Sequence, residues 1–171
     1  ALDIAGKQPS DLSGIAVSTG PGSFTGIRIG VSFAIGLALG TGLKLIPVPT
    51  LDAIAYSLRA FAKASHHSRV LSVISAGRLG LYASLFQVTP DFLRLTDAGA
   101  IPPEQAPGLL DENVLAAGPG ITLLKPQYAD RIAHGTTQLT ARAIGEHGIF
   151  LKSLGLTCSP EQLEPLYIGQ G

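Results

Sequence analysis

The sequence predicts an α/β protein with two lobes, and three observations carry that expectation. Residues 14–63 alternate short apolar strands with helical patterns. A break at His66, His67 and Ser68 then changes the texture of the chain. From residue 69 onward, short strands separated by tight turns follow one another before a last helix, the pattern of a meander capped by a helix. The expected units are an N-terminal lobe over residues 1–65, a C-terminal lobe over residues 66–155 and a tail over residues 156–171.

Residues 1–5 read as the last turn of a helix, with Gly6 in the position after it that glycine favours. A chain that opens inside a helix leads us to expect that its first lobe is incomplete at its start. Pro9, Ser10 and Asp11 make a turn. Residues 14–18 form a buried strand, and the breaker cluster of residues 18–23 ends it. Ser23 is placed to cap a helix over residues 24–39, which Gly40 and Gly42 terminate. A second strand covers residues 44–48. Thr50 then caps an amphipathic helix over residues 51–63, with Leu51, Ile54, Ala55, Leu58 and Ala62 on one face. Strands are expected over residues 69–75, 80–88, 91–97 and 114–117, with an irregular proline-rich connection at residues 102–108. A helix over residues 137–154 follows, capped by Thr136 or Thr137. Ser159, Pro160 and Glu161 start a short turn, and Leu166, Tyr167 and Ile168 form a closing strand or a docking tail.

Twelve Lys+Arg balance twelve Asp+Glu, so the formal net charge is zero. A protein that grips nucleic acid unaided is expected to carry a basic excess, because neutralising phosphates drives most of that affinity. Only 14% of the residues are charged against 46% hydrophobic, and the mean hydropathy is +0.35. Apolar surface in that excess points to a subunit interface. The single cysteine, Cys158, excludes an internal disulfide framework, fits a reducing cytoplasm and reads as an idle thiol. The longest apolar stretch, residues 29–39, falls short of the roughly 20 residues of a membrane span and reads as a buried helix, with no membrane as partner.

The informative stretch is STGPGSFTGIRIGVSFAIGLALG, residues 18–40. Glycines between a strand and a helix start can bare backbone N–H groups to an anion, which makes Thr19, Gly20, Gly22 and Ser23 the candidates for a nucleotide cradle. The stretch lacks the Gly-Lys-Ser/Thr of a phosphate loop, and Thr25 stands where a dinucleotide fingerprint has its third glycine. The plainer reading is a tight turn and a capped helix.

Gly26, Gly30 and Gly36 lie inside the predicted helix, and each costs about 1 kcal/mol relative to alanine. Burial of an Ile, Leu or Phe contributes about 1.5–3 kcal/mol, so packing can offset that cost. Gly26, Gly30, Ala34 and Ala38 recur at steps of four and make a small-residue stripe that admits close packing. The apolar residues point nearly all round, which predicts a helix packed on two sides. One side meets its own sheet; the other meets either a second protein or the rest of this chain. The candidate partner-facing residues are Phe24, Gly26, Ile27, Arg28, Gly30, Val31, Ala34, Leu37 and Ala38. Arg28 stands in the first turns, where the helix dipole disfavours a cation. It reads either as a solvated edge residue or as the donor of a specific carboxylate or cross-subunit contact.

The run GPGSFTGIRIG at residues 20–30, GLALG at residues 36–40 and PTLDAIA at residues 49–55 closely resemble the TsaB (YeaZ) family of bacterial tRNA threonylcarbamoyladenosine biosynthesis proteins. LEPLYI at residues 163–168 is similar to the family's ending. The resemblance implies an actin-like (ASKHA, ribonuclease H-like) fold, here without its first strands. It implies a cytoplasmic, non-catalytic subunit that pairs with a TsaD-type catalytic subunit through the helix starting at Phe24, and with a second copy of itself in that subunit's absence. A TsaE-type ATPase joins the complex, which uses ATP; this chain alone is expected to hold no cofactor, and tRNA is met only through the complex. The family's charged turn is here Ser75-Ala76-Gly77-Arg78-Leu79-Gly80-Leu81-Tyr82, which keeps Arg78 and Tyr82 but not the acidic residues.

An enzyme working alone is the other class of reading, either peptidase-like or nucleotide-hydrolysing. The residues around Ser23 do not form the G-x-S-x-G elbow of a serine nucleophile. His66, His67, His134 and His147 offer no His-x-x-x-His pair, so no metal site is expected, and His134 and His147 read as surface residues.

Overall fold

The computed structural model describes residues 2–124, 132 and 139–168. It contains two mixed layers of sheet and helix joined by a shared helix. β1 (Ile15–Gly20) and β2 (Leu45–Pro49) pair in parallel, with Ile15 opposite Leu45 and Ser18 opposite Val48. Alternation along these strands decides what lies on each face. Val17 and Leu45 point to α1 (Phe24–Thr41), where Val31, Ala34 and Ala38 complete a small core. Ala16, Ile46 and Val48 point the other way, toward α2 (Thr50–Ser57) and α4 (Ala141–Ser153). A Cβ added at Gly148 of α4 would lie 2.6 Å from the Ala16 Cβ, so this glycine is what lets α4 rest on β1.

The second sheet runs β5 (Leu93–Arg94), β4 (Leu81–Gln87), β3 (Arg69–Ser75), β7 (Val114–Ala117), with β6 (Gly99–Ile101) also paired to β4. β3 and β4 are antiparallel along their full length, from Arg69 opposite Gln87 to Ser75 opposite Leu81. β7 lies parallel to β3, and β5 is a short antiparallel edge. One face of this sheet buries Val70, Phe86 and Leu115 against Leu51, Ile54 and Leu58. The other buries Leu71, Val73 and Leu85 against Ala106, Leu110 and Ile121. α2 therefore belongs to both layers: Leu51 and Ile54 serve the large sheet, and Ala53 serves the small one.

Several sequence expectations need correction. The helix expected over residues 51–63 is two helices, α2 and α3 (Arg59–Ala64), because Leu58 leaves the helical region at φ −95°, ψ 0°. Its apolar stripe survives the break, and Leu51, Ile54, Ala55, Leu58 and Ala62 are all buried. Thr50 is the first residue of α2 rather than its cap; its hydroxyl instead shares a 2.7 Å hydrogen bond with that of Ser18 on β1. Gly40 lies inside α1, and Gly42 alone ends it, at φ +70°. α4 starts at Ala141 under Thr140, whose side chain accepts from the Ala143 N–H; the expected caps Thr136 and Thr137 lie outside the described residues. β6 was not expected beside the prolines. Of the two readings of residues 166–168, the structure has the docking tail: an extended segment bonded to Thr19 and Tyr82.

Candidate functional site: the open face of α1

β1 delivers the chain to Gly20, and a cis Gly20–Pro21 bond leads into the turn. Ser23 caps α1 as expected, its hydroxyl accepting from the Gly26 N–H at 3.3 Å. α1 is not a buried helix. Only Val31, Ala34 and Ala38 are buried, because one stripe is enough to cover the two-stranded sheet. The opposite stripe faces solvent, with Phe33 72%, Leu39 66% and Ile29 65% exposed. By length and composition α1 is apolar enough to cross a membrane (18 residues, hydropathy 1.5). Its docked stripe ties it to β1 and β2.

The small-residue stripe does not stay on one side. Each step of four residues turns about 40° beyond a full helical turn. The row therefore winds from exposed Gly26, through half-buried Gly30, to buried Ala34 and Ala38. Val31, Ala34 and Ala38 are thus unavailable to a partner, since the chain's own sheet covers them. Phe24, Gly26 and Arg28 are exposed, and Ile27, Gly30 and Leu37 half-buried. The sequence reading missed Ile29, Phe33 and Leu39, the most exposed apolar side chains of α1. No signal in the sequence singles them out, because α1 is apolar nearly all round. A Cβ at Gly30, Gly36 or Gly40 would meet nothing within 4 Å, so no neighbour among the described residues uses the closeness these glycines permit.

The guanidinium of Arg28 lies 4.1 Å above the Phe24 ring, and its Nε donates to the Tyr167 hydroxyl at 3.1 Å. Among the described residues no carboxylate pairs with it. Beside α1 opens a cleft of about 320 Å³. Ser18, Gly22, Ser23, Gly26, Gly30 and Thr50 form one wall, and Ile74, Pro119 and Leu139 the other. Among the described residues, no lysine or arginine lines it. Of the four nucleotide-cradle candidates, Gly22 and Ser23 reach this cleft. Thr19 and Gly20 face the 166–168 segment instead: the Leu166 N–H donates to the Thr19 carbonyl at 2.7 Å, and the Leu166 carbonyl sits against Gly20.

His147 is not a surface residue. It is 1% exposed, packed among Tyr56, Phe92 and Phe150 in the seam between α2 and α4. Burial, helped by the charge of Arg94, pushes its pKa down to about 4. Arg94 in turn donates through Nη2 to both carboxylate oxygens of Asp52, at 2.6 and 2.7 Å. Burial raises the Asp52 carboxyl above its ordinary value even though Arg94 opposes the shift. His134 lies outside the described residues.

The family model for TsaD, tRNA N6-adenosine threonylcarbamoyltransferase, matches residues 1–100, more than half of the chain. The chain belongs to this family. Within it, the resemblance to TsaB (YeaZ) proteins holds. The tRNA threonylcarbamoyladenosine biosynthesis protein TsaB of Escherichia coli K12 is 41% identical over 86 residues, 50% of this chain and 36% of that protein. TsaB of Haemophilus influenzae is 32% identical over 134 residues, 78% of this chain and 53% of that protein. The chain thus spans between about a third and a half of these curated relatives. A Pseudomonas aeruginosa crystal structure, described as similar to the peptidase YeaZ, superposes with a TM-score of 0.76 at 24% identity, over 98% of this chain and 79% of that one. That likeness shows the fold: α/β with mixed sheets, as in YeaZ structures.

Proposed function

We propose that this TsaD-family chain is the non-catalytic partner subunit in the formation of threonylcarbamoyladenosine on tRNA, docking a TsaD-type catalytic subunit through the open face of α1. The carrying observation is that face itself: Ile29, Phe33 and Leu39 stand in solvent beside glycines that none of the described residues approaches. Contiguous exposed apolar surface of this kind marks an interaction site. The two layers serve as the two lobes of an actin-like fold. A second copy of the chain covers the same face when the catalytic subunit is absent, a TsaE-type ATPase joins the complex, and tRNA is met through the complex. ATP is used by the assembly rather than held by this chain, whose turn into α1 lacks the Gly-Lys-Ser/Thr of a phosphate loop. The hydroxyls that line the cleft are also engaged structurally, Ser18 with Thr50 and Ser23 with its helix.

The test is co-purification with a TsaD-type subunit, followed by size exclusion, for the parent chain and an Ile29→Asp/Phe33→Asp variant. Pairing by the parent and its loss in a folded variant is the expected result. A variant that pairs normally would sink the assignment of the face. ATP hydrolysis or proteolysis by the lone chain would favour the stand-alone enzyme.

A further inference from the structure

We propose that residues 166–168 form a clasp that holds the α1 layer and the five-stranded sheet at a fixed spacing across the cleft, and whose release lets the cleft widen. Three consecutive residues reach both layers. The Leu166 N–H bonds the Thr19 carbonyl at the end of β1. The Tyr167 ring packs 5.5 Å from that of Phe24, and its hydroxyl accepts from Arg28, so this residue grips the first turns of α1. The Ile168 carbonyl accepts from the Tyr82 hydroxyl at 3.3 Å, and Tyr82 belongs to β4 of the other sheet.

The rest of the molecule makes such a device effective. α2 joins the two layers through buried apolar contacts to both, and so acts as the fixed end. Next to the cleft, across Pro21 and Ile27, which line both, the segment borders a cavity of about 260 Å³ with Phe24 and Tyr82. Its grip on α1 is exposed, with Tyr167 44% exposed, and its bond to Tyr82 is only part-buried. Contacts of that kind open far more readily than a packed core. Gly20 is fitted to the clasp, because a Cβ there would lie 2.8 Å from the Leu166 carbonyl oxygen.

The experiment uses the full chain without any partner, so its outcome is separate from that of the docking proposal. Spin labels at Lys44→Cys and Arg78→Cys, in a Cys158→Ser background diluted with unlabelled chain, report the spacing between the layers. The parent chain is expected to give one narrow distance distribution. Tyr167→Ala, which removes the grip on α1, and Tyr82→Phe, which removes only the bond to β4, are each expected to give a longer, broader one. Should either folded variant keep the parent distribution, the clasp is refuted. If Tyr167→Ala fails to fold, Tyr82→Phe, which deletes a single hydroxyl, decides alone.

Discussion

Arg28 and Tyr167, 139 residues apart in the chain, meet through a 3.1 Å hydrogen bond from Nε to the phenol oxygen. The contact answers the question that Arg28 poses in the sequence. A cation near a helix N-terminus is unfavourable with the dipole alone. Here it is offset by the Phe24 ring below and the tyrosine oxygen beside it. Each of these is an exposed contact. Arg28→Ala is therefore expected to lower stability by no more than about 1 kcal/mol, measured by urea denaturation. A loss of several kcal/mol would mean that Arg28 supports more of the fold than these two contacts.

Gly20 shows how a glycine can carry a tertiary constraint. Its φ of +108° is disfavoured for any residue with a side chain, and the Leu166 carbonyl leaves no room for a Cβ. Gly20→Ala is expected to cost about 1–3 kcal/mol and to raise amide exchange at Leu166, whose N–H is held by Thr19. Unchanged protection at Leu166 would contradict this account of the turn.

α1 offers a sharp internal contrast. Val31 is 4% exposed and Phe33 72% exposed, two positions apart on one helix. Phe33→Asp is expected to leave stability within about 0.5 kcal/mol of the parent. Val31→Asp places a carboxylate against Val17 and Leu45 with no partner, and is expected to unfold the small layer. Circular dichroism melts of the two variants check the pair. Equal melting temperatures would show that the two faces have been assigned wrongly.

Much of the fold was legible because burial here follows simple periods. The strands at residues 69–75 and 114–117 match to the residue, since both are short apolar runs between clear turn signals. The α2–α3 stripe was also correct, although the break at Leu58 was not, because the backbone can leave the helix while Leu58 and Ala62 stay buried. The site was read only in part. A helix apolar on every side gives no internal clue to which stripe meets its own sheet, so Val31, Ala34 and Ala38 were placed with the partner-facing residues. His147 was misplaced for the opposite reason: a polar residue near Arg142 and Glu146 looks solvated, yet Tyr56, Phe92 and Phe150 enclose it.

That enclosure gives the last prediction its sign. The folded state holds His147 neutral, with a pKa near 4 against about 6.5 in an unfolded chain. Between those values the unfolded chain binds more protons than the folded one, so stability rises with pH through that window and is lost as pH falls from 6.5 toward 4. Carboxylates contribute their own slopes at the acid end, and the raised Asp52 pKa works in the other direction, since a carboxyl protonated more readily when folded favours the folded state at low pH. The histidine contribution is isolated by comparison with His147→Phe, which keeps an aromatic ring in the Tyr56–Phe92–Phe150 cluster and removes the titrating nitrogens. Urea denaturation at several points from pH 7 to 4.5 is expected to give a flatter stability profile for His147→Phe than for the parent chain. Parallel profiles would mean that His147 takes up its proton equally well in both states, and that the cluster does not exclude water from the ring.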